Sequence, residues 1–141
     1  MAFLTEDDYR AVAGEQSLKV LQQNSEAIRQ RAESMAIDEV KGYLATRFDA
    51  NRVFKATGDA RSDIIIARTV DVTLYNLVSA MPNRMGWEVR ELRYKRAIQW
   101  LEDVQKGNIA IDLPLQMGPN GEEDINARIR YNAGQKNTYD W

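Results

Sequence analysis

The sequence predicts an all-α fold: a small helical bundle of three long helices with short N-terminal helices, a long loop and an extended C-terminal arm. Apolar residues recur at steps of three and four in three long segments, as they do in amphipathic helices. Residue types that cap or stop helices bound those segments. The 141 residues, 44% hydrophobic and 28% charged, are enough for one hydrophobic core and too few for two domains.

The N-terminal region has the signals of two short helices. Thr5 is a good N-cap, and Asp8 three positions later completes a capping box. Leu4 and Tyr9 fall at the positions of a hydrophobic staple. Gly14 is a natural stop for the first helix, and a second short helix follows it. We expect this region to cover the core.

The first long helix is predicted from Ser25 to about Phe48. Its opposite face is charged, which indicates either solvated surface or contact with a neighbouring subunit. The apolar stripe that predicts the helix comprises Ile28, Ala32, Met35, Ala36, Val40, Tyr43, Leu44 and Phe48.

The segment from Asp49 to Asp63 contains Gly58 among polar residues and has no sustained apolar period. It is predicted to be a long loop that closes on a Ser62 cap. Loops of this length are uncommon inside a small domain, and they tend to be functional.

Two further long helices follow. The second is predicted from Asp63 to Ala80, with Pro82 breaking it. The third is predicted from Trp87 to Lys106, with Gly107 at the left-handed C-cap position. Their apolar stripes comprise Ala67, Val70, Leu74, Leu77, Val78 and Met81 in the second helix and Tyr94, Ala97, Ile98, Leu101 and Val104 in the third.

The character of the chain changes after the third long helix. The sequence IAIDLP alternates as a short β-strand does, and the remainder has no apolar period that builds a core. We therefore divide the chain into a helical domain, residues 1–113, and an arm, residues 114–141. The arm either anchors on another chain through its apolar residues or folds back on its own domain.

Composition argues against most enzyme mechanisms. The chain has no cysteine and no histidine, and the GxSxG, P-loop, GxGxxG and HExxH patterns do not occur in it. The adjacent Glu102 and Asp103 are interpreted as surface charge, since neighbouring residues on a helix diverge. We expect no catalytic residues, no cofactor, no metal and no enzymatic activity.

No window of the sequence holds the roughly 20 apolar residues that a membrane span needs. The N-terminus also lacks the basic and apolar regions of a secretory signal. We expect a protein that is intracellular when made and has no membrane partner.

Asp71 and Tyr75 lie four residues apart, close to the apolar stripe of the second long helix. A buried carboxylate needs a partner, so a structural hydrogen bond or ion pair is the favoured interpretation. Arg47, at the end of the first long helix, is the candidate partner.

Arg90, Arg93 and Arg96 form a basic stripe on the third long helix, interrupted by Glu88 and Glu91. Such mixed charge is typical of an exposed, salt-bridged face or of an interface with an acidic partner. The formal net charge of −2 argues against general DNA binding. The alternative function is that of a small helical nucleic-acid-binding protein that uses this stripe.

Four segments carry a family resemblance: FLTEDDYRAVAG, AIDEVKGYLATRF, ARTVDVTLYNL and RYKRAIQWLEDVQKGNIAIDLP. The last is the most specific, because it is an aromatic-rich helix that ends in a WL-x-x-V-x-x-G step before a short apolar strand. Over roughly residues 3–115 the chain resembles the head-tail connector, adaptor and head-completion proteins of the tailed-phage neck.

The resemblance implies a structural virion protein without catalytic residues. Proteins of this family assemble as a homo-oligomeric ring, commonly a dodecamer, which is stacked on the portal protein and joins the tail or other neck proteins. Genomic DNA passes through the lumen without sequence-specific binding. The implied location is the virion neck, after assembly in the host cytoplasm.

Interface residues are expected in the long loop, on the third long helix and in the arm. These residues are Arg52, Phe54, Lys55 and Arg61 in the loop, Arg90 and Arg93 on the helix, and Ile125, Ile129, Tyr131, Tyr139 and Trp141 in the arm.

Overall fold

The structure, a computed structural model, describes residues 3–81 and 86–116. These residues form six α-helices and one short 3-10 helix, which confirms the all-α prediction. No helix within the described ranges is both long and apolar enough to cross a membrane. The predictions made for Pro82 and for Ile125, Ile129, Tyr131, Tyr139 and Trp141 lie outside the described residues.

Helices α1 (Glu6–Ala13) and α2 (Glu15–Gln22) confirm the two short N-terminal helices. The Thr5 hydroxyl accepts a hydrogen bond from the Asp8 amide, and the Asp8 carboxylate accepts one from the Thr5 amide at 2.8 Å. The predicted capping box is therefore present. Gly14 ends α1 with a φ of 78°, in the left-handed region that favours glycine.

Helix α3 (Glu26–Leu44) begins where predicted, since the Ser25 hydroxyl accepts a hydrogen bond from the Ile28 amide at 3.3 Å. It ends four residues before the predicted Phe48, which is buried from the turn that follows. The prediction that Ile28 and Met35 belong to the buried stripe is wrong. Neighbouring helices cover a narrower stripe with a spacing of four, which comprises Ala32, Ala36, Val40 and Leu44.

The prediction of a loop from Asp49 to Asp63 is also wrong. Asp49 caps a short helix, α4 (Ala50–Lys55), by accepting a hydrogen bond from the Arg52 amide at 3.3 Å. A 3-10 helix, Gly58–Ala60, follows. A helix of six residues that buries only two of them is too short to show an apolar period.

Helix α5 (Asp63–Ser79) is the central element, because it contacts α1, α2, α3 and α6. Ten of its residues are buried, so it is covered on more sides than an ordinary surface helix. The buried hydroxyls of Thr69 and Thr73 donate to carbonyl oxygens four residues back, at 2.7 and 2.8 Å. These bonds allow two polar side chains in the core.

Helix α6 (Trp87–Gln105) packs against α3 and α5 and buries Ala97, Leu101 and Val104. Its predicted position is confirmed, with the last helical residue one before the predicted Lys106. Gly107 follows with a φ of 82°, the left-handed conformation that the sequence predicted.

The expected short β-strand after α6 is not formed in the described part of the chain. A single antiparallel bridge joins Leu115 to Phe48. The Asp49 amide donates to the Pro114 carbonyl at 2.8 Å, and Leu113 is buried. The segment is extended but lacks a partner strand of its own, because it lies against the corner between α3 and α4. The proposed division at residue 113 stays a prediction.

Truncating the core of α5 should destabilise the fold far more than truncating an exposed leucine. Leu77 is 1% exposed and Leu92 is 59% exposed. We expect Leu77→Ala to lower the free energy of unfolding by about 2–5 kcal/mol, since it leaves a cavity. The control Leu92→Ala should change it by less than about 0.5 kcal/mol. Urea denaturation followed by circular dichroism measures both; equal losses would contradict the packing.

Candidate interaction surface

Helix α6 has two flanks, one toward α3 and one toward the first half of α5. Tyr94 lies on the flank toward α3, with Glu91 one turn before it and Glu102 two turns after it. Arg93 and Arg96 lie on the other flank. We call the α3 side the acidic flank; it comprises Glu39, Tyr43, Glu91, Tyr94 and Glu102. We call the α5 side the arginine flank; it comprises Arg68, Arg90, Arg93, Arg96 and Trp100.

An ion pair between a buried carboxylate and a partly exposed guanidinium joins the arginine flank to α5. The Asp71 carboxylate is 1% exposed and accepts from Arg93 Nε at 2.8 Å and from Arg93 Nη2 at 3.4 Å. Two parallel bonds of this kind hold a guanidinium in one orientation. This pair confirms the prediction that the Asp71 carboxylate has a partner inside the protein.

The prediction that Arg47 is the partner of Asp71 is wrong. Its Nη1 donates to the Val104 carbonyl at 2.7 Å, at the C-terminal end of α6. Arg47 follows the end of α3, whereas Asp71 lies at the middle of α5. A cation beside the last carbonyls of α6 also interacts favourably with the helix dipole.

Arg68 of α5 adds a second guanidinium to the arginine flank. Its guanidinium carbon lies 5.3 Å from the centre of the Trp100 ring, within the range of a cation–π contact. Burial lowers the pKa of Arg68, Asp71 opposes this effect, and Arg96 and Arg93 lower the pKa further. The flank therefore has more positive charge than Asp71 alone neutralises.

Arg90 is half-buried beside a cavity of about 110 Å³, where α2, α5 and α6 meet. Burial lowers the pKa of Arg90, Asp71 opposes this, and Arg93 lowers it further. Arg90 Nη1 and Arg68 Nε are both buried without a hydrogen-bond partner among the described residues. Three of these arginines thus share one carboxylate, Asp71.

The acidic flank has the opposite sign. Burial and the Glu39 carboxylate raise the pKa of Tyr94 to about 12. Burial, Glu102 and Glu39 raise the pKa of Tyr43. Tyr94 also stacks on Tyr75 of α5, with ring centres 4.1 Å apart. Among the described residues, no group of three or more acidic side chains is arranged to hold a metal ion.

Each flank has a pair of exposed apolar side chains beside it. Ile28 and Met35 of α3 are 51% and 55% exposed, and Val89 and Leu92 of α6 are 54% and 59% exposed. Met35 lies one turn before Glu39, on the acidic flank, and Ile28 two turns before Met35 on the same side. Val89 lies one turn before Arg93, and Leu92 lies one turn before Arg96. Exposed apolar side chains grouped in this way are typical of protein contacts.

The residues predicted in the long loop lie elsewhere. Phe54 of α4 packs edge-on against Phe3, with ring centres 4.8 Å apart. Arg61 Nη1 donates to the Phe3 carbonyl at 2.7 Å and to the Asp8 carboxylate at 2.5 Å. These two side chains therefore hold the N-terminal region against the bundle. Whether they also contact a partner stays a prediction.

Arg52 and Lys55 are exposed on α4, and their predicted interface role is untested. Of the predicted interface residues within the described ranges, the structure brings together Arg90 and Arg93. The surface residues that the sequence did not single out are Glu39, Arg68, Val89, Leu92 and Trp100. Only the surface residues on α6 could have been identified from the sequence, since residues 89, 93, 96 and 100 follow helical steps of four, three and four.

The family model described as Bacteriophage Mu, Gp36 matches residues 3–127. The chain belongs to this phage protein family. The Gp36 match spans all six helices and both flanks of α6. It confirms the resemblance to phage proteins. No curated protein and no solved structure matches the chain.

Removing the partner of Asp71 should destabilise the protein. Arg93→Met removes both of the hydrogen bonds that this buried carboxylate accepts from Arg93, so we expect a loss of about 3 kcal/mol in the free energy of unfolding. The double variant Asp71→Val with Arg93→Met should recover part of the loss, because the buried carboxylate is gone while Arg68 and Arg90 lose the negative charge that opposed theirs.

Lys95→Met, which breaks the exposed pair with Glu91, is the control and should cost less than about 1 kcal/mol. Urea denaturation measures all three variants. A double variant no more stable than Arg93→Met would contradict the role of Arg93 as the partner of Asp71.

Proposed function

We propose that this phage protein is a structural, non-enzymatic subunit of the virion neck, a head-tail connector or adaptor that forms a ring between the portal protein and the tail. The observation that carries the proposal is the pair of dissimilar flanks on α6, one acidic and one rich in arginine. Membership of a phage family and the resemblance of RYKRAIQWLEDVQKGNIAIDLP to connector proteins support it.

A ring of identical subunits needs two different surfaces on each copy, because each copy contacts one neighbour on either side. The two flanks of α6 meet this requirement on one rigid helix. The central position of α5 and the Asp71–Arg93 pair hold that helix in place. The number of copies is proposed from the resemblance alone, which favours a dodecamer.

The charge of the chain is compatible with a DNA conduit. A lumen dense in cations would retard the genome through contacts with phosphate groups, and the formal net charge is −2. In this proposal, DNA passes through the ring without sequence-specific binding. The protein needs no cofactor for this role, which is mechanical rather than chemical.

The arm, residues 114–141, is proposed to reach the portal, the tail or another neck protein. Its apolar residues give a large contact area at low entropic cost, and they include Ile125, Ile129, Tyr131, Tyr139 and Trp141. The proposed location is the neck of the virion, reached by assembly in the host cytoplasm.

A second candidate function is nucleic-acid binding by the arginine flank. The excess of guanidinium groups around Asp71 favours it, and its signature is an affinity that falls steeply with salt. Two observations weigh against it: the Arg93 guanidinium is bound to Asp71, and Arg90 is half-buried. We therefore prefer the structural role.

A nonsense mutation in the gene should block the joining of heads to tails. In a phage that encodes this chain, we expect lysates of the mutant to contain filled heads and separate tails in negative-stain electron micrographs. Wild-type protein supplied from a plasmid should restore infectious particles, which serves as the control. Complete virions assembled without the protein would contradict a neck role.

A further inference from the structure

We propose that adjacent copies of this chain join through the two flanks of α6: the arginine flank of one copy, with Val89 and Leu92, packs against the acidic flank of the next, with Ile28 and Met35. The inference rests on the proposed ring and names the surface that builds it. The occupant of each flank is therefore a second copy of the same chain.

Charge complementarity is the first argument. On one side, Arg68, Arg90 and Arg93 share a single carboxylate, and Arg96 is exposed beside them. On the other side, Glu39 and Glu102 lie close enough to Tyr94 and Tyr43 to add to the effect of burial on their pKa values. Glu39 Oε2 is buried without a hydrogen-bond partner among the described residues, whereas Glu91 is paired with Lys95. Opposite potentials on two surfaces favour their association and oppose the pairing of either surface with itself.

Apolar complementarity is the second argument. The four large apolar side chains that are more than half exposed in the described part of the chain divide equally between the two flanks. Joining the flanks removes all four from water at each contact. An apolar centre surrounded by charged groups is the usual composition of a specific protein interface.

The position of the flanks is the third argument. They lie on opposite sides of one helix, so a copy bound through one flank still presents the other. Such a heterologous contact adds subunits in one direction and closes into a ring when the rotation between neighbours permits. A two-fold contact through the arginine flank alone would instead place arginine against arginine.

The test uses one substitution on each flank. Met35→Lys damages the acidic flank and Leu92→Asp damages the arginine flank, because each places a charge of the same sign as the surface it meets; both side chains are more than half exposed, so the fold should tolerate the changes. By sedimentation velocity, the unchanged chain should form multimers as its concentration rises. Each variant should remain monomeric under those conditions, with its association weakened at least about tenfold.

Mixing the two variants is the decisive step. Each retains one intact flank, so an equimolar mixture should form dimers and nothing larger. Lys19→Asp, an exposed substitution on α2 outside the residues named for the two flanks, is the matched control and should assemble like the unchanged chain. If either variant fails to fold by circular dichroism, Ile28→Lys and Val89→Asp replace the pair.

The proposal is overturned if the unchanged chain stays monomeric at all concentrations, if the variants assemble normally, or if the mixture stays monomeric. It is also overturned if Arg96→Glu leaves self-association unchanged while abolishing a tight, salt-sensitive affinity for duplex DNA. If phage particles assemble without the protein, the proposed neck role is wrong, but the contact between copies can still be measured. Failure of the contact in solution leaves the neck role to be judged from the phage mutant.

Discussion

The Asp71–Arg93 ion pair is the constraint on which the arrangement of the bundle depends. Helix α5 is surrounded by other helices, so a carboxylate at its middle has to be paired inside the protein. Arg93 provides that partner from α6 through two hydrogen bonds. Together with the burial of Ala97, Leu101 and Val104, this pairing fixes the rotation of α6 about its own axis, and the rotation decides which of its side chains lie on each flank.

The surface chemistry follows from that rotation. Arg96 and Trp100 come to lie beside Arg68, while Tyr94 and Glu102 face α3. The fold thus separates positive from negative charge across a single helix in a chain whose formal net charge is only −2. A protein of a phage family that presents two such different surfaces is suited to repeated contact with itself.

Local signals predicted most of the fold. Thr5 and Gly107 were identifiable because a cap or a left-handed stop depends on residues close in sequence. The exposure of Met35 and the partner of Asp71 could not be identified from the sequence, because both depend on how distant helices pack. Arg68 had no signal at all, since its place beside α6 arises only when α5 and α6 come together.

Covalent crosslinking tests the central claim, that copies join through different flanks of α6, most directly. The chain has no cysteine, so cysteines introduced at Met35 and Leu92 are the only thiols that a short bismaleimide can join. A chain with both Met35→Cys and Leu92→Cys should give a ladder of covalent multimers, and chains with either substitution alone should stay uncrosslinked. Covalent dimers from a single-cysteine chain, or no products from the double variant, would contradict the account.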